Sequence, residues 1–153
     1  MKQKSMIEAA HDMAELAHLG QKYDGVFDYL NFHVKGVCDK YLALFGSYGD
    51  YGHAVAMLHD VVEDSSKTIE DVINMFGFNV GEAVHAITKL KGERRLDYLS
   101  RCCANDIARK VKIADTLFNL EYSIKKQDQK RIEKYTNQLS LLTSNKGDNH
   151  ETK

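Results

Sequence analysis

A histidine followed by an aspartate, His59 and Asp60, is the pair in this sequence whose side chains best suit metal chemistry. It lies in residues 58–68, LHDVVEDSSKT, where the apolar spacing predicts a helix. Neighbouring residues on a helix point about 100° apart, so both side chains can lean toward one ion against that side. An imidazole and a carboxylate suit Mn²⁺, Fe²⁺ or Zn²⁺. The pair therefore indicates a divalent metal site.

Two further carboxylates follow this pair at a spacing of four residues. Glu63 comes four residues after His59, and Asp64 comes four residues after Asp60. On a helix this spacing places each acid one turn above the pair, where it can orient or deprotonate a bound water. The alternative is a solvated helix end. The sequence argues against this alternative, because several acidic groups beside an apolar helix face are electrostatically costly unless a cation offsets their charge.

A third candidate ligand lies in residues 108–121, ARKVKIADTLFNLE. Asp115 falls on the inward side of this strongly apolar predicted helix, and a buried aspartate is rare unless it is paired or binds a metal. Asn119 follows one turn later on the same face, where its amide can reach a base, sugar or phosphate. The alternative is that Asp115 caps or hydrogen-bonds a neighbouring helix.

The segment GQKYDGVFDYLNFHV, residues 20–34, is a glycine-punctuated loop that runs into a helix. Lys22 can neutralise a phosphate, and Tyr23 can stack on a base. His33 opens an amphipathic helix, where a histidine is either a structural residue or a metal ligand. A second His-Asp pair, His11-Asp12, has no acidic pair one turn later, and we interpret it as surface.

Apolar residues recur at helical spacing along most of the chain, and no run alternates with a period of two. These patterns predict an all-α fold without a sheet, with one domain over residues 1–143 and a flexible polar tail over residues 144–153. Thr68 is expected to cap one of the helices, and Gly77 to end it. The predicted helices cover residues 7–17, 32–45, 54–62, 69–76, 80–89, 96–103, 105–124 and 128–142.

The composition narrows the class of protein. The chain has 153 residues, 43% hydrophobic and 28% charged, with a net charge of −1, so no overall basic field draws it to duplex nucleic acid or to a membrane. No apolar run approaches the roughly 20 residues of a membrane span, and the N-terminal segment lacks a signal-peptide pattern. We expect a cytoplasmic protein. Cys38, Cys102 and Cys103 show no CxxC spacing and are expected as reduced thiols in or near the core.

Taken in order, these segments resemble the hydrolase domain of the RelA/SpoT alarmone family, especially its small stand-alone (Mesh1-like) HD hydrolases. The likeness rests on AHLGQKYDG, LHDVVEDS, the Thr-capped TIEDVINMFGFNV, AITKLKG, VKIADTLFN and the closing RIEKYTNQLSLL. It extends from the predicted helix at residue 7 to the one that ends at residue 142. The resemblance implies a single-domain HD-type helical phosphohydrolase fold.

The resemblance also implies roles for individual residues. It implies that one metal, usually Mn²⁺ in this family, with Fe²⁺, Zn²⁺ or Co²⁺ as alternatives, is held by His33, His59, Asp60 and Asp115. It implies that Glu63 and Asp64 are the catalytic acidic pair. Substrate contacts are expected from Lys22, Tyr23 and Asn119.

The sequence departs from the family pattern around the base pocket. The arginine that packs on guanine is not evident, and Lys22 and Tyr23 stand in that stretch. Asp28 and Val34 replace prolines, Thr116 replaces the arginine that usually follows the metal-binding aspartate, and one extra residue separates Tyr29 from His33. The expected metal set is complete, so the differences bear on the substrate more than on catalysis.

The expected reaction is Mn²⁺-dependent hydrolysis of guanosine 3′,5′-bis(diphosphate), ppGpp, or of pppGpp, to GDP or GTP and pyrophosphate. One alternative is a metal-dependent phosphohydrolase for another 2′- or 3′-phosphorylated nucleotide, such as NADPH or a pyrophosphorylated RNA end. Another is a non-catalytic alarmone-binding module. The expected partner is a phosphorylated guanosine nucleotide, and assembly into a homo-oligomer is left open. A helical DNA-binding protein is disfavoured because no basic recognition helix is present.

Overall fold

The structure is a computed structural model that describes residues 2–46 and 51–144. Within these residues the chain is almost entirely helical, as predicted. The predicted polar tail lies outside the described residues from residue 145 onward. The helices are α1 (Met6–Ala17), α2 (Lys35–Phe45), α3 (Gly52–Leu58), α4 (Val61–Asp64), α5 (Ile69–Phe76), α6 (Phe78–Ile87), α7 (Arg95–Cys103), α8 (Asp106–Lys125) and α9 (Gln129–Thr143).

Helix α8 is the centre of the packing, because it contacts α2, α3, α6, α7 and α9. Its inward face buries Val111 and Ala114 completely, and its polar residue Asp115 projects from the same face into the middle of the molecule. The core around it is formed by fully buried side chains from the neighbouring helices, among them Val34, Val37, Leu58, Val61 and Val84. The site described below is therefore held by the best-packed part of the fold.

Local capping explains where several helices begin and end. Thr68 caps α5 as predicted: its hydroxyl accepts the Asp71 N–H, and the Asp71 carboxylate accepts the Thr68 N–H. Gly77 ends α5 with φ +90°, a left-handed conformation that glycine adopts without steric cost. Cys38 and Cys102 are buried and Cys103 is half-buried, which confirms the expectation of thiols in or near the core.

Three details of the predicted secondary structure are wrong. Residues 54–62 do not form one helix, because α3 ends at Leu58 and α4 starts at Val61. Asp60 has φ −107° and ψ 0°, outside the helical region, so His59 and Asp60 lie at a break between two helices. Helix α6 ends at Ile87 instead of residue 89, because Thr88 is extended.

The third error concerns the loop before the second helix, where no strand was predicted. Strands β1 (Lys22–Tyr23) and β2 (Phe27–Asp28) pair antiparallel over two residues each. A turn of π-helix, Tyr29–Val34, then leads into α2. Such turns are uncommon and often occur at functional sites, and this one carries His33. Within the described residues, no helix is both long and apolar enough to cross a membrane.

Candidate metal centre

Four polar side chains from three parts of the chain converge beside α8. His33 comes from the π-helical turn, His59 and Asp60 from the break between α3 and α4, and Asp115 from α8. The His33 Nε2 lies 3.1 Å from Asp115 Oδ1 and 3.5 Å from Asp60 Oδ2. The His59 Nε2 lies 2.9 Å from Asp60 Oδ2 and 3.6 Å from Asp115 Oδ1. Residues that are up to 82 positions apart in the sequence thus form one ring of candidate metal-ligand atoms, which we call the donor ring.

This ring has the chemistry and spacing of a metal site. Ligand atoms of His33, His59 and Asp60 all lie within 4.8 Å of one another. Around an ion with bonds of roughly 2.1 Å, adjacent ligands are separated by roughly 3.0–3.4 Å in octahedral or tetrahedral geometry. The four nitrogen–oxygen distances above fall around this range. Two imidazoles and two carboxylates are a donor set that suits Mn²⁺, Fe²⁺ and Zn²⁺.

The protonation of His59 supports the same interpretation. Its Nδ1 lies 2.7 Å from the Ala56 carbonyl oxygen, and a carbonyl can only accept, so Nδ1 carries the hydrogen. The buried Nε2 faces the Asp60 and Asp115 carboxylates, and it makes no hydrogen bond among the described residues. On losing its proton, this nitrogen offers a lone pair to a metal. A histidine whose second nitrogen is fixed by a backbone carbonyl is the usual arrangement at metal sites. A divalent cation would satisfy this otherwise orphaned nitrogen.

Two further side chains hold the carboxylates of this ring. The Tyr29 hydroxyl donates to Asp60 Oδ2 at 2.6 Å, and the Lys112 Nζ donates to Asp115 Oδ2 at 2.9 Å. Burial raises the pKa of Asp115, but the Lys112 cation and the two imidazoles outweigh it and hold that pKa well below its usual range. Asp115 is therefore an anion, with Oδ2 occupied by lysine and Oδ1 facing the histidines.

Lys112 gives a prediction about stability. Replacing it with methionine keeps the bulk of the chain but leaves the Asp115 carboxylate buried without its counter-charge. We expect the metal-free protein to lose about 3 kcal/mol of unfolding free energy, measured by urea denaturation, because breaking one partner of a buried pair strands the other. The matched control is Lys110→Met, whose surface pair with Asp106 is worth less than about 1 kcal/mol. Equal effects of the two changes would contradict this role.

Metal binding is expected to strengthen as the pH rises. Burial lowers the pKa values of His33 and His59, but the Asp60 and Asp115 carboxylates outweigh it, so both pKa values are raised. A protonated imidazole cannot ligate, so binding releases protons, and affinity increases by up to about tenfold per pH unit for each proton released. Isothermal titration calorimetry in buffers with different ionisation enthalpies counts the protons that metal binding releases. Release of no proton near about pH 6 would refute the prediction.

The acidic pair lies next to the ring, on α4. The Glu63 Oε1 accepts the Lys89 backbone N–H, and the Asp64 Oδ2 accepts the Gln21 Nε2–H at 3.0 Å. Partial burial, together with the negative charge of Asp60, raises the pKa of both carboxyls. Both side chains still reach solvent. The acids thus stand beside the donor ring with one oxygen anchored, although the helix break replaces the regular spacing of four residues from which their position was predicted.

An open cavity of about 240 Å³ leads to the donor ring. Lys22 lines it and is exposed. Tyr23 is buried, stacks on the His33 ring at 5.0 Å between centroids, and donates its hydroxyl to Asn119 Oδ1 at 2.7 Å. Asn119 donates to Asp115 Oδ1 at 3.1 Å. All three residues expected to contact substrate therefore lie at the cavity, but Tyr23 and Asn119 are engaged with the donor ring as well.

Sequence analysis missed two cations of this site. Lys112 precedes Asp115 by one helical turn on an apolar helix, a spacing that could have revealed it. Arg131, on α9, also lines the cavity, and its guanidinium donates to the Tyr23 hydroxyl at 3.3 Å. No local signal marks Arg131, because α9 reads as an ordinary charged helix.

The other pair, His11-Asp12, lies at the surface, as expected: Asp12 is half-exposed and paired with Lys4.

Comparisons with known proteins give partial sequence matches. No protein-family model matches the chain. The chain is 40% identical over 48 residues, 31% of its length, to the GTP pyrophosphokinase rsh of Brucella ovis. It is 37% identical over 71 residues, 42% of its length, to the guanosine-3′,5′-bis(diphosphate) 3′-pyrophosphohydrolase MESH1 of Danio rerio. The matches cover 6% and 39% of these curated relatives, respectively, so the chain spans less than half of the length of either.

The likeness in structure is more extensive. The chain superposes with a TM-score of 0.72 on a metazoan ortholog of SpoT that hydrolyses ppGpp and plays a role in starvation responses. The two are 25% identical, and the match covers 93% of this chain and 85% of that one. The protein therefore has the HD-type helical fold of this metazoan SpoT ortholog, and its resemblance to the RelA/SpoT-type hydrolases is confirmed.

Proposed function

We propose that this protein is a metal-dependent ppGpp 3′-pyrophosphohydrolase. The observation that carries the proposal is the ring of His33, His59, Asp60 and Asp115, largely buried, of which three members line an open cavity. Two carboxylates that reach solvent follow on the adjoining α4. A binding module has no need of both a complete donor set and an acidic pair. Two of the proteins that this chain resembles are named for ppGpp hydrolysis, which points to the substrate.

The proposed metal is one Mn²⁺ per chain, held by these four residues, with Fe²⁺, Zn²⁺ and Co²⁺ as alternatives. When bound, such an ion polarises a phosphoryl oxygen and lowers the pKa of a bound water to near neutrality. Among the protein's own groups, Tyr29 and Lys112 orient the Asp60 and Asp115 carboxylates by hydrogen bonds to Oδ2 of each. These supporting bonds keep the ligand oxygens in place before the ion arrives.

The acidic pair is proposed to handle the attacking water. The oxygen of this water forms a bond to the phosphorus attached to the 3′ oxygen of the nucleotide. The bond between that phosphorus and the 3′ oxygen then breaks. Glu63 and Asp64 orient the water and accept its proton, and the 3′ oxygen takes up a proton as GDP and pyrophosphate separate. The raised pKa of both carboxyls favours this exchange, because a general base works best when its pKa approaches the operating pH.

The cations at the cavity are proposed to bind the phosphates. Lys22 and Arg131 line the cavity, and charge-assisted bonds to phosphate are stronger than neutral ones. The cavity, at about 240 Å³, is smaller than the roughly 300–1,000 Å³ of typical ligand pockets. It therefore suits the diphosphate group rather than the whole nucleotide.

Arg131 gives a prediction that tests this assignment. We expect Arg131→Met to raise KM for ppGpp by about 10- to 100-fold, the equivalent of one hydrogen bond to a charged group, while Mn²⁺ binding is unchanged. Steady-state kinetics with the metal-saturated enzyme measure it. The control is Lys130→Met, an exposed neighbour that should leave KM within twofold. An unchanged KM for the Arg131 variant would show that Arg131 does not bind the phosphates.

The proposed function itself is tested by incubating the Mn²⁺-loaded protein with ppGpp and resolving the products by ion-exchange chromatography. GDP and pyrophosphate are expected, and a chelator should abolish them until Mn²⁺ is restored. No turnover with one metal bound per chain would redirect the proposal to another nucleotide, tested with NADPH and pyrophosphorylated RNA. Tight ppGpp binding without product would instead identify an alarmone-binding module. The cytoplasmic location stays a prediction, and assembly into a homo-oligomer stays open.

A further inference from the structure

A chain of hydrogen bonds leads from the end of α1 to the acidic pair. The His18 Nδ1 lies 2.8 Å from the Gln21 Oε1, and the Gln21 Nε2 donates to Asp64 Oδ2 at 3.0 Å. Glu63, the other acid, is anchored differently, by the backbone N–H of Lys89. Asp64 therefore depends on a side chain that substitution can remove, whereas Glu63 does not.

The local sequence HLGQ explains how Gln21 reaches this position. Helix α1 ends at Ala17, and Gly20 follows with φ +77°, which reverses the chain. The Gln21 N–H then donates to the His18 carbonyl at 3.0 Å, and the Tyr29 N–H donates to the Gln21 carbonyl at 3.1 Å. The backbone of Gln21 is thus fixed on both sides, and its side chain extends to the Asp64 carboxylate.

The polarity of this hydrogen-bond chain follows from the carboxylate. An ionised carboxylate only accepts, so the Gln21 amide nitrogen faces Asp64 and its oxygen faces His18. His18 must then carry its proton on Nδ1. His18 is 2% exposed, and its ring packs against that of Tyr29 at 4.9 Å between centroids. Since the Tyr29 hydroxyl donates to Asp60, the same buried group supports both the donor ring and the path to Asp64.

We propose that Gln21 is a positioning residue for Asp64, and that His18 acts through Gln21 by fixing the orientation of its amide. This inference rests on the proposed function, in which Asp64 orients the attacking water. The hydrogen bond engages Oδ2, so Oδ1 is left for the water. Neither His18 nor Gln21 contributes an atom to the donor ring, and neither lines the cavity that leads to it.

The first test is Gln21→Met, which keeps the length of the side chain but removes the donor. We expect kcat for ppGpp to fall by about 10- to 100-fold, as for loss of a hydrogen bond to a charged group, with KM, Mn²⁺ affinity and melting temperature unchanged. Gln21 is only half-buried, so the variant should fold. The matched control is Gln3→Met, an exposed glutamine before α1, with no change in kcat.

A second test separates positioning from a merely structural role. In the Asp64→Asn background, Gln21→Met should lower the residual kcat no further, because residues that act through one another are not additive. At His18, asparagine can place an amide donor near the Nδ1 position, whereas glutamine places it near Nε2. His18→Asn is therefore expected to retain more activity than His18→Gln.

The inference is overturned if Gln21→Met keeps the wild-type kcat, or if its effect multiplies with that of Asp64→Asn. Failure of the proposed function looks different, because the wild-type protein would then be inert toward ppGpp. In that case crystal structures of the wild type and of Gln21→Met still decide the matter. We expect the Asp64 carboxylate to rotate in the variant, and an unchanged orientation would refute the positioning role.

Discussion

Replacing Asp60 with alanine is expected to abolish Mn²⁺ binding and turnover together. The ring carries two carboxylates and the neighbouring Lys112 one positive charge, so the local charge is −1 before the change and zero after it. Asp60 Oδ2 also lies closer to His59 Nε2, at 2.9 Å, than Asp115 Oδ1 does, at 3.6 Å. Loss of a residue that only hydrogen-bonds a metal ligand lowers metal affinity about 10- to 100-fold. We expect loss of Asp60, a ligand itself, to lower the Mn²⁺ affinity by more than about 100-fold.

Free Mn²⁺ measured by electron paramagnetic resonance during titration gives the affinity, and product formation at saturating metal gives the rate. Asp12→Ala is the matched control, since His11-Asp12 is the same dipeptide on a surface helix. That variant should bind one Mn²⁺ with unchanged affinity. If Asp60→Ala retained full affinity, or if Asp12→Ala lost it, the assignment of the metal centre would be wrong.

Replacing Glu63 with glutamine is expected to separate metal binding from catalysis. The amide oxygen of glutamine can still accept the Lys89 N–H that anchors Glu63, so α4 should stay in place. Glutamine cannot accept a proton from water, and removing a general base lowers the rate by about 10²- to 10⁴-fold. We therefore expect kcat to fall within this range while Mn²⁺ affinity stays within twofold of the wild type.

The control for Glu63 is Glu70→Gln, an exposed acid in the first turn of α5, which should leave both quantities unchanged. Single-turnover measurements with the metal-saturated protein exclude product release as the slow step. A near-normal rate for Glu63→Gln would assign water activation to Asp64 alone. A loss of metal together with activity would instead make Glu63 a ligand.

The helices were predictable because their signals are local. The apolar period places α1, α5, α8 and α9 within a few residues of their observed bounds, and the side chains that cap α5 and α9, Thr68 and Asp128, accept N–H groups three residues ahead. The errors occur where distant contacts override the local pattern. At His59-Asp60 the apolar spacing continues through residue 62, yet the backbone leaves the helix where both side chains turn into the donor ring.

The sequence by itself determined the chemical inventory of the site: two histidines, two aspartates and an adjacent acidic pair in segments whose residue types suit a metal. What only the tertiary structure decided is how these groups are held. Arg131 carries no local signal of function, and Lys112 carries only its spacing from Asp115, because a cation on a helix is ordinarily solvated. Burial beside Asp115 and exposure to the cavity give these two cations their roles. Charge and hydrogen-bond energies depend on surroundings, and those surroundings come from residues far apart in the chain.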